Sequence, residues 1–133
     1  MALIQRIYGL TESFPRTETF GLTNQMRRAA ISIAANISEG AARQTKKEFI
    51  QFLHMAQGSL SELDTHLEIS EKLGYLKKIN PQDLSLMMND IDKMLTGLIT
   101  SQSLIIKTLE TKSLLPSLYK REEFPSLEKR GQG

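Results

Sequence analysis

Apolar residues recur at helical spacing in four stretches of the chain, and no alternating strand pattern runs for more than a few residues. A first helix is predicted over about residues 2–13, and Pro15 ends it because the residue before a proline avoids the α conformation. Its apolar stripe is predicted to hold Ile4, Ile7, Tyr8, Thr11 and Phe14. A second helix is predicted over about 21–42, with apolar side chains every three or four residues: Leu22, Met26, Ala29, Ala30, Ile33 and Ile37.

The third and fourth helices are marked by their ends as well as by their apolar stripes. The stripe of the third helix is predicted to hold Phe49, Phe52, Leu53, Ala56, Leu60, Leu63 and Leu67, and that of the fourth Leu84, Met88, Ile91, Leu95, Leu98, Ile105 and Leu109. Thr45 and Glu48 have the spacing of a capping box, which predicts that the third helix begins after Thr45. Gly74 has the character of a C′ residue that ends this helix. Asn80 as N-cap and Pro81 at the first helical position predict the start of the fourth helix, which should reach about residue 111.

Four helices with short connections predict an all-α fold, an antiparallel up-down-up-down four-helix bundle over residues 1–111. The charged segment 112–133 is expected to be a mostly disordered tail. The first helix is shortened, because about 12 residues cover less than half of the roughly 40 Å that the two longest helices span. Either the bundle has a gap at one end or something else covers the exposed apolar strip, which points to a partner.

Composition excludes several classes of protein. A chain of 133 residues fits one domain, and the absence of cysteine rules out disulfide frameworks and thiolate metal sites. No apolar run approaches the length of a membrane span and no signal-peptide pattern is present, so we expect no membrane association and a cytoplasmic location.

Catalytic motifs are missing. There is neither a phosphate-binding Gly-rich loop nor an H-E-x-x-H motif. Glu62 and His66 stand one turn apart but off the apolar stripe, which favours a surface ion pair over a metal site. Since no nucleophile, base and stabiliser can be assembled, we expect a protein that is not an enzyme, with no cofactor and no metal.

Charge is distributed unevenly although the net charge is only +2. Residues 1–52 carry +3, residues 53–106 carry −3 and residues 107–133 carry +2. The candidate nucleic-acid-binding residues are the cations of the first half: Arg27, Arg28, Arg43, Lys46 and Lys47. Lys46 and Lys47 lie in the first helical turn, where free backbone N–H groups favour a phosphate although the helix dipole disfavours cations. Alternatively these side chains are solvated charges at a loop edge, and Arg28 belongs to a structural ion-pair network.

Small and apolar residues also occupy the side of the second helix that faces away from the predicted core. Ile31, Ala34 and Ala35 lie there with no charge between them. This pattern indicates a close helix contact across a second interface, and we therefore take these residues as a candidate oligomer interface. The alternative is that the alanines are present only because alanine favours helix formation.

Several motifs follow one another in a fixed order along the chain. They are residues 21–30 (GLTNQMRRAA), 32–40 (SIAANISEG), 47–53 (KEFIQFL), Ala56, 58–60 (GSL), 62–63 (EL) and 73–76 (LGYL). In this order and spacing they strongly resemble the four-helix-bundle family of 23S rRNA intervening-sequence proteins, over roughly residues 7–110. Members of that family have a longer first helix that includes a Trp, so Met1 is expected to lie midway along it.

The resemblance implies a bacterial protein that assembles into a homopentameric barrel and binds RNA or DNA. The family is similar to accessory proteins of diversity-generating retroelements, which engage a reverse transcriptase and nucleic acid. We predict a non-catalytic oligomeric bundle that binds structured nucleic acid such as rRNA through phosphate contacts. The alternative is a protein-interaction scaffold, an accessory subunit for a nucleic-acid-processing partner, with the gap beside the first helix as a groove for a partner helix.

Overall fold

The computed structural model describes the backbone of residues 1–123 and the side chains of residues 1–80 and 82–112. Four α-helices make up this part of the chain: α1 (Ala2–Thr11), α2 (Leu22–Ala41), α3 (Lys46–Lys72) and α4 (Pro81–Glu123). A short 3-10 helix (Arg16–Glu18) lies between α1 and α2. The described part of the chain contains no strand, and the predicted all-α bundle with a short first helix is confirmed.

Successive helices pack side by side and run antiparallel. The hydroxyl groups of Ser32 in α2 and Ser59 in α3 are 2.9 Å apart, and Met26 and Ser70 meet nearer the other end of this pair. Gln57 of α3 donates to Thr96 of α4 over 3.3 Å. Helix α1 packs against both α2 and α4 and so closes one end of the bundle.

The core forms where the predicted apolar stripes of the four helices meet. Its buried side chains are Leu3, Ile7, Leu10, Phe14, Met26, Ala29, Ala30, Ile33, Leu53, Ala56, Leu60, Leu63, Leu84, Met88 and Leu95. The prediction for α1 was wrong in one respect, because Tyr8 is exposed whereas Leu3 and Leu10 are buried. The Tyr8 ring lies instead beneath the guanidinium of Arg27, which explains why this side chain turns away from the core.

The helix ends follow the local sequence. The Thr45 hydroxyl accepts a hydrogen bond from the Glu48 backbone N–H at 3.2 Å and donates to the Glu48 carboxylate at 2.9 Å. The capping box is therefore half formed, because that carboxylate bonds the Thr45 hydroxyl rather than its backbone N–H. Asn80 accepts from the Gln82 N–H at 3.0 Å, and Gly74 adopts a φ of 82°, as its predicted C′ position requires.

Helix α4 is longer than the sequence predicted. The predicted end near residue 111 was wrong, since α4 continues to Glu123 and the predicted tail boundary at residue 112 falls inside it. No glycine follows residue 111 within this segment, and its leucines and charged residues favour helix formation, although Pro116 lacks the backbone N–H that a helix interior uses. Residues 124–133 of the predicted disordered tail lie outside the described residues.

The connection after α3 packs against the connection between α1 and α2. The Tyr75 hydroxyl donates to the Glu18 carboxylate at 2.9 Å, and the Tyr75 ring packs 5.2 Å from that of Phe14. The Glu18 carboxylate accepting this hydrogen bond raises the pKa of Tyr75 above its ordinary value of 10.0. Tyr75 therefore stays protonated and donates this bond at neutral pH.

Helix α1 covers only the beginning of α4. Arg6 of α1 forms a salt bridge of 3.1 Å with Asp83 in the first turn of α4. Met94 and Ile105 lie 11 and 22 residues after Asp83, close to whole numbers of turns, and so on the same side of α4. Both are exposed, because α1 does not extend alongside them. The shortened first helix thus leaves an apolar strip of α4 uncovered.

Candidate functional site

Arg27 is part of the packing between α1 and α2. Its guanidinium lies 4.5 Å from the centroid of the Tyr8 ring, and its Nε donates to the Thr11 hydroxyl at 2.9 Å. The same hydroxyl donates to the carbonyl of Ile7 at 2.7 Å, so the contact continues into the buried face of α1. The structure therefore places Arg27, which was predicted to bind phosphate, in a contact that joins α1 and α2.

Three of the predicted cations do come together, at the turn between α2 and α3. We call Arg43, Lys46 and Lys47 the turn cluster. Arg43 donates to Glu39 at 2.6 Å and lies 4.7 Å above the Phe52 ring, which holds its guanidinium in one orientation. All three side chains are exposed at the beginning of the 27-residue helix α3.

Helix α4 passes beside the turn cluster. Lys46 donates to Gln102 at 3.4 Å, and the Lys47 ammonium is 3.8 Å from the Glu110 carboxylate. Lys107 lies one turn before Glu110 and is exposed, so α4 adds a cation to this end of the bundle. Sequence reasoning missed Lys107, because only the antiparallel register of α3 and α4 places it near a turn 60 residues earlier in the chain.

Arg28 lies apart from the turn cluster. It is thirteen residues before the end of α2, about 20 Å along the helix axis. Arg28, Ile31 and Ala35 are spaced i, i+3 and i+7, so they share the outward face of α2. The structure therefore divides the five predicted cations among a helix–helix contact, the turn cluster and this face.

The predicted oligomer interface residues occupy the outer surface of α2. Ile31 is 43% exposed and Ala35 is exposed, while Ala34 is half-buried. Met55, which is 54% exposed, lies one turn before Ser59 on the edge of α3 that contacts α2. Sequence reasoning missed Met55, although an apolar residue outside the buried stripe of α3 was the pattern that could have identified it.

Glu62 and His66 lie on the same edge of α3. His66 Nε2 is 3.3 Å from the Glu62 carboxylate, which is the i, i+4 pair predicted from the sequence. Within the described side chains, no group of three or more His, Asp or Glu residues is arranged to hold a metal ion. Among the described residues, no helix is both long and apolar enough to cross a membrane.

The family model for the 23S rRNA-intervening sequence protein matches residues 1–97. The chain belongs to this family. The match includes α1, α2, α3 and the first part of α4, and with them the turn cluster and the outer face of α2. No curated protein matches the chain.

Proposed function

We propose that the chain is a non-catalytic, self-associating bundle in the bacterial cytoplasm that binds the phosphates of structured RNA. The observation that carries this proposal is the exposure of the turn cluster at the N-terminus of α3. Membership of the 23S rRNA-intervening sequence protein family supports RNA as the ligand. The same basic end would also bind DNA phosphates, so a DNA competitor belongs in the measurement.

The chemistry of this end of α3 suits an anion. The first backbone N–H groups of a helix have no intrahelical acceptor, and the helix dipole places partial positive charge there. Thr45 accepts from only one of these groups, the N–H of Glu48. The backbone N–H groups of Lys46 and Lys47 therefore stay available to an anion, beside the side-chain ammonium groups of the same two residues.

The turn cluster favours contacts to the nucleic-acid backbone over contacts to bases. Base stacking needs an exposed aromatic ring, and the Phe52 ring near the cluster is covered by the Arg43 guanidinium. Phosphate contacts carry little sequence information by themselves. Recognition would then depend on the shape of a folded RNA.

Self-association would repeat the turn cluster on one assembly. The outer face of α2, with Ile31 and Ala35, presents apolar and small side chains that another copy can approach closely. A homopentamer, as the family resemblance implies, carries five clusters. Multivalent contact then raises avidity without any additional contact within a subunit.

Charge reversal at the turn cluster tests RNA binding. The double variant Lys46→Glu/Lys47→Glu is expected to lower affinity for a structured rRNA fragment at least about tenfold near physiological salt. The slope of log affinity against log salt is negative, and its magnitude should decrease by about one per lysine. Fluorescence anisotropy over a salt series, with and without a DNA competitor, measures both quantities.

Lys77→Glu/Lys78→Glu is the matched control, because these lysines lie in the connection between α3 and α4 at the other end of the bundle. Helicity and mass in solution should be unchanged in both variants. Equal loss of affinity in the control would show that only net charge matters. Unchanged affinity in the first variant would remove the turn cluster from the RNA site.

A carboxylate on the outer face of α2 tests self-association. Ala35→Glu is expected to raise the protein concentration at which the assembly forms by at least about a hundredfold, because a buried unpaired charge costs several kcal/mol. Analytical ultracentrifugation over a range of protein concentrations provides the measurement. Thr100→Glu, at an exposed position of α4, should leave the mass of the assembly unchanged. An intact assembly in Ala35→Glu would contradict this interface.

The alternative function is that of a scaffold for a nucleic-acid-processing protein. It is supported by the exposed apolar strip of α4 at Met94 and Ile105, where α1 provides no cover. A folded, self-associated sample that binds no RNA even at low salt would favour this alternative over the first proposal.

A further inference from the structure

A groove runs between α3 and α4 on a side of the bundle away from the outer face of α2. Two neighbouring cavities of about 390 Å³ and 310 Å³ lie along it and share Asp64, Ser85 and Met88 in their walls. On α3 the groove reaches from Gln57 to Glu71, which is about 21 Å at 1.5 Å per residue. A helix of about four turns has this length.

The floor of the groove is apolar at the end nearest Glu71. Leu67, Leu76 and Ile79 lie half-buried there beside the core residues Leu84 and Met88. At the end nearest Glu71, Leu86 lines a further open cavity and is 64% exposed. The groove therefore offers both a buried floor and a protruding apolar side chain to an occupant.

The rim of the groove is acidic. Asp64, Glu68 and Glu71 are spaced i, i+4 and i+7 on α3, and Asp92 lies opposite on α4. All four side chains are exposed, and none takes part in a salt bridge with another described residue. Lys93 lies about 100° around α4 from Asp92 and, at i+7 from Leu86, on the outer side of α4 that Leu86 occupies.

Such a row of carboxylates is unfavourable in the isolated bundle. Like charges at i, i+4 on a helix, such as Asp64 and Glu68, repel each other, and Lys72, exposed at i+4 from Glu68, can offset only one of the four carboxylates. A ligand that brings positive charge relieves this repulsion, whereas the phosphates of a nucleic acid would increase it. The apolar floor requires, in addition, that the ligand have an apolar face.

We infer that this groove binds a basic amphipathic helix of a partner protein. The apolar side of that helix packs on Leu67, Ile79 and Leu86, and its Lys or Arg side chains flank it and reach the carboxylates. Helix-in-groove binding uses apolar anchors at i, i+3, i+4 and i+7, and complementary charge sets orientation and association rate. The groove shares no residue with the turn cluster or with the outer face of α2, so the inference is independent of RNA binding.

The test uses the full chain and a synthetic peptide of about 14 residues. The peptide has Leu on one helical face and Lys on its flanks, and a second peptide has the same composition in scrambled order. Fluorescence anisotropy at low and physiological salt should show binding of the amphipathic peptide and at least about tenfold weaker binding of the scrambled one. No binding at low salt, or equal binding of both peptides, overturns the inference.

Variants of the rim locate the binding site. Asp64→Asn/Glu68→Gln should weaken binding of the amphipathic peptide by roughly tenfold, since two exposed ion pairs are lost. Glu12→Gln/Asp90→Asn removes the same charge at exposed positions outside the groove, and its affinity should change less than about twofold. Equal loss in both variants would show nonspecific attraction and overturn the inference.

Two further measurements test the apolar contact and distinguish a partner helix from other occupants of the groove. Leu86→Ser should weaken peptide binding several-fold while circular dichroism stays unchanged, because Leu86 is exposed. Asp64→Asn/Glu68→Gln should retain both self-association and RNA affinity. If this variant instead dissociates the assembly, the occupant is a second copy of the chain and the inference is wrong.

Discussion

Leu63→Ala is expected to lower the free energy of unfolding by about 2–5 kcal/mol. Leu63 is 0% exposed in the middle of α3, between helices on both sides. Removing three carbon atoms there loses their burial and leaves a cavity that the surrounding helices fill only in part. Urea denaturation followed by circular dichroism gives the change, at one fixed protein concentration because self-association adds to apparent stability.

The matched control makes the same substitution at an exposed position. Leu104 is 58% exposed on α4, so Leu104→Ala should change the free energy of unfolding by less than about 0.5 kcal/mol. A loss below about 1 kcal/mol in Leu63→Ala would mean that the core at this position is loosely packed. The packing of α2, α3 and α4 around Leu63 would then need revision.

Gly40→Ala is expected to destabilise the bundle by about 1–3 kcal/mol, the second-largest effect. A Cβ atom at this position would lie 2.6 Å from the Cβ of Phe52 and 3.0 Å from Cδ1 of Phe49, both on α3. The Phe52 Cβ is attached directly to the backbone of α3, so the two helices must move apart to make room. The gain in helix propensity, about 1 kcal/mol at most, does not offset this overlap.

Gly58→Ala is the control for Gly40→Ala. No atom lies within 4 Å of a Cβ built on Gly58, so alanine there should stabilise α3 by up to about 1 kcal/mol. Thermal and urea denaturation of the two variants should therefore shift in opposite directions. Shifts of the same sign would contradict the close approach of α2 and α3 at Gly40.

Gly40 also matters for the proposed function because it lies three residues before Arg43. The close contact of α2 with α3 at this point determines where the turn cluster stands relative to α4. Arg43 packs on Phe52, one of the residues that a side chain at position 40 would displace. RNA affinity of Gly40→Ala at temperatures where it stays folded would show how far binding depends on this geometry.

Much of the fold could be predicted from the sequence. The apolar stripes of α2 and α3 identified the residues that the core buries, and Thr45, Gly74 and Asn80 marked helix ends correctly. These features are local, because a helical repeat and a cap depend on residues within one or two turns. The errors were also local conflicts, since Tyr8 fits the stripe of α1 but packs against a cation, and α4 continues where a helix end was expected.

The candidate sites were predicted less completely, because they depend on register between helices. Five cations close in sequence were expected to act together. A helix rises about 5.4 Å per turn, however, and Arg28 lies several turns of α2 away from Arg43. Glu110 meets Lys47 of the turn cluster, Lys107 comes to the same end of the bundle, and Asp92 joins the rim of the groove only through the antiparallel packing of α4 on α3.

The sequence by itself determined the number of helices, most of their ends, the buried faces of α2 and α3 and the family to which the chain belongs. Only the tertiary structure decided which charged residues stand together, that Arg27 ties α1 to α2, and that α3 and α4 leave an acidic groove over an apolar floor. The reason is physical, because helix formation and amphipathicity depend on residues that are close together in the sequence. The position of one helix along another depends on side chains far apart in the chain, of which Gly40 and Phe52 are the clearest pair.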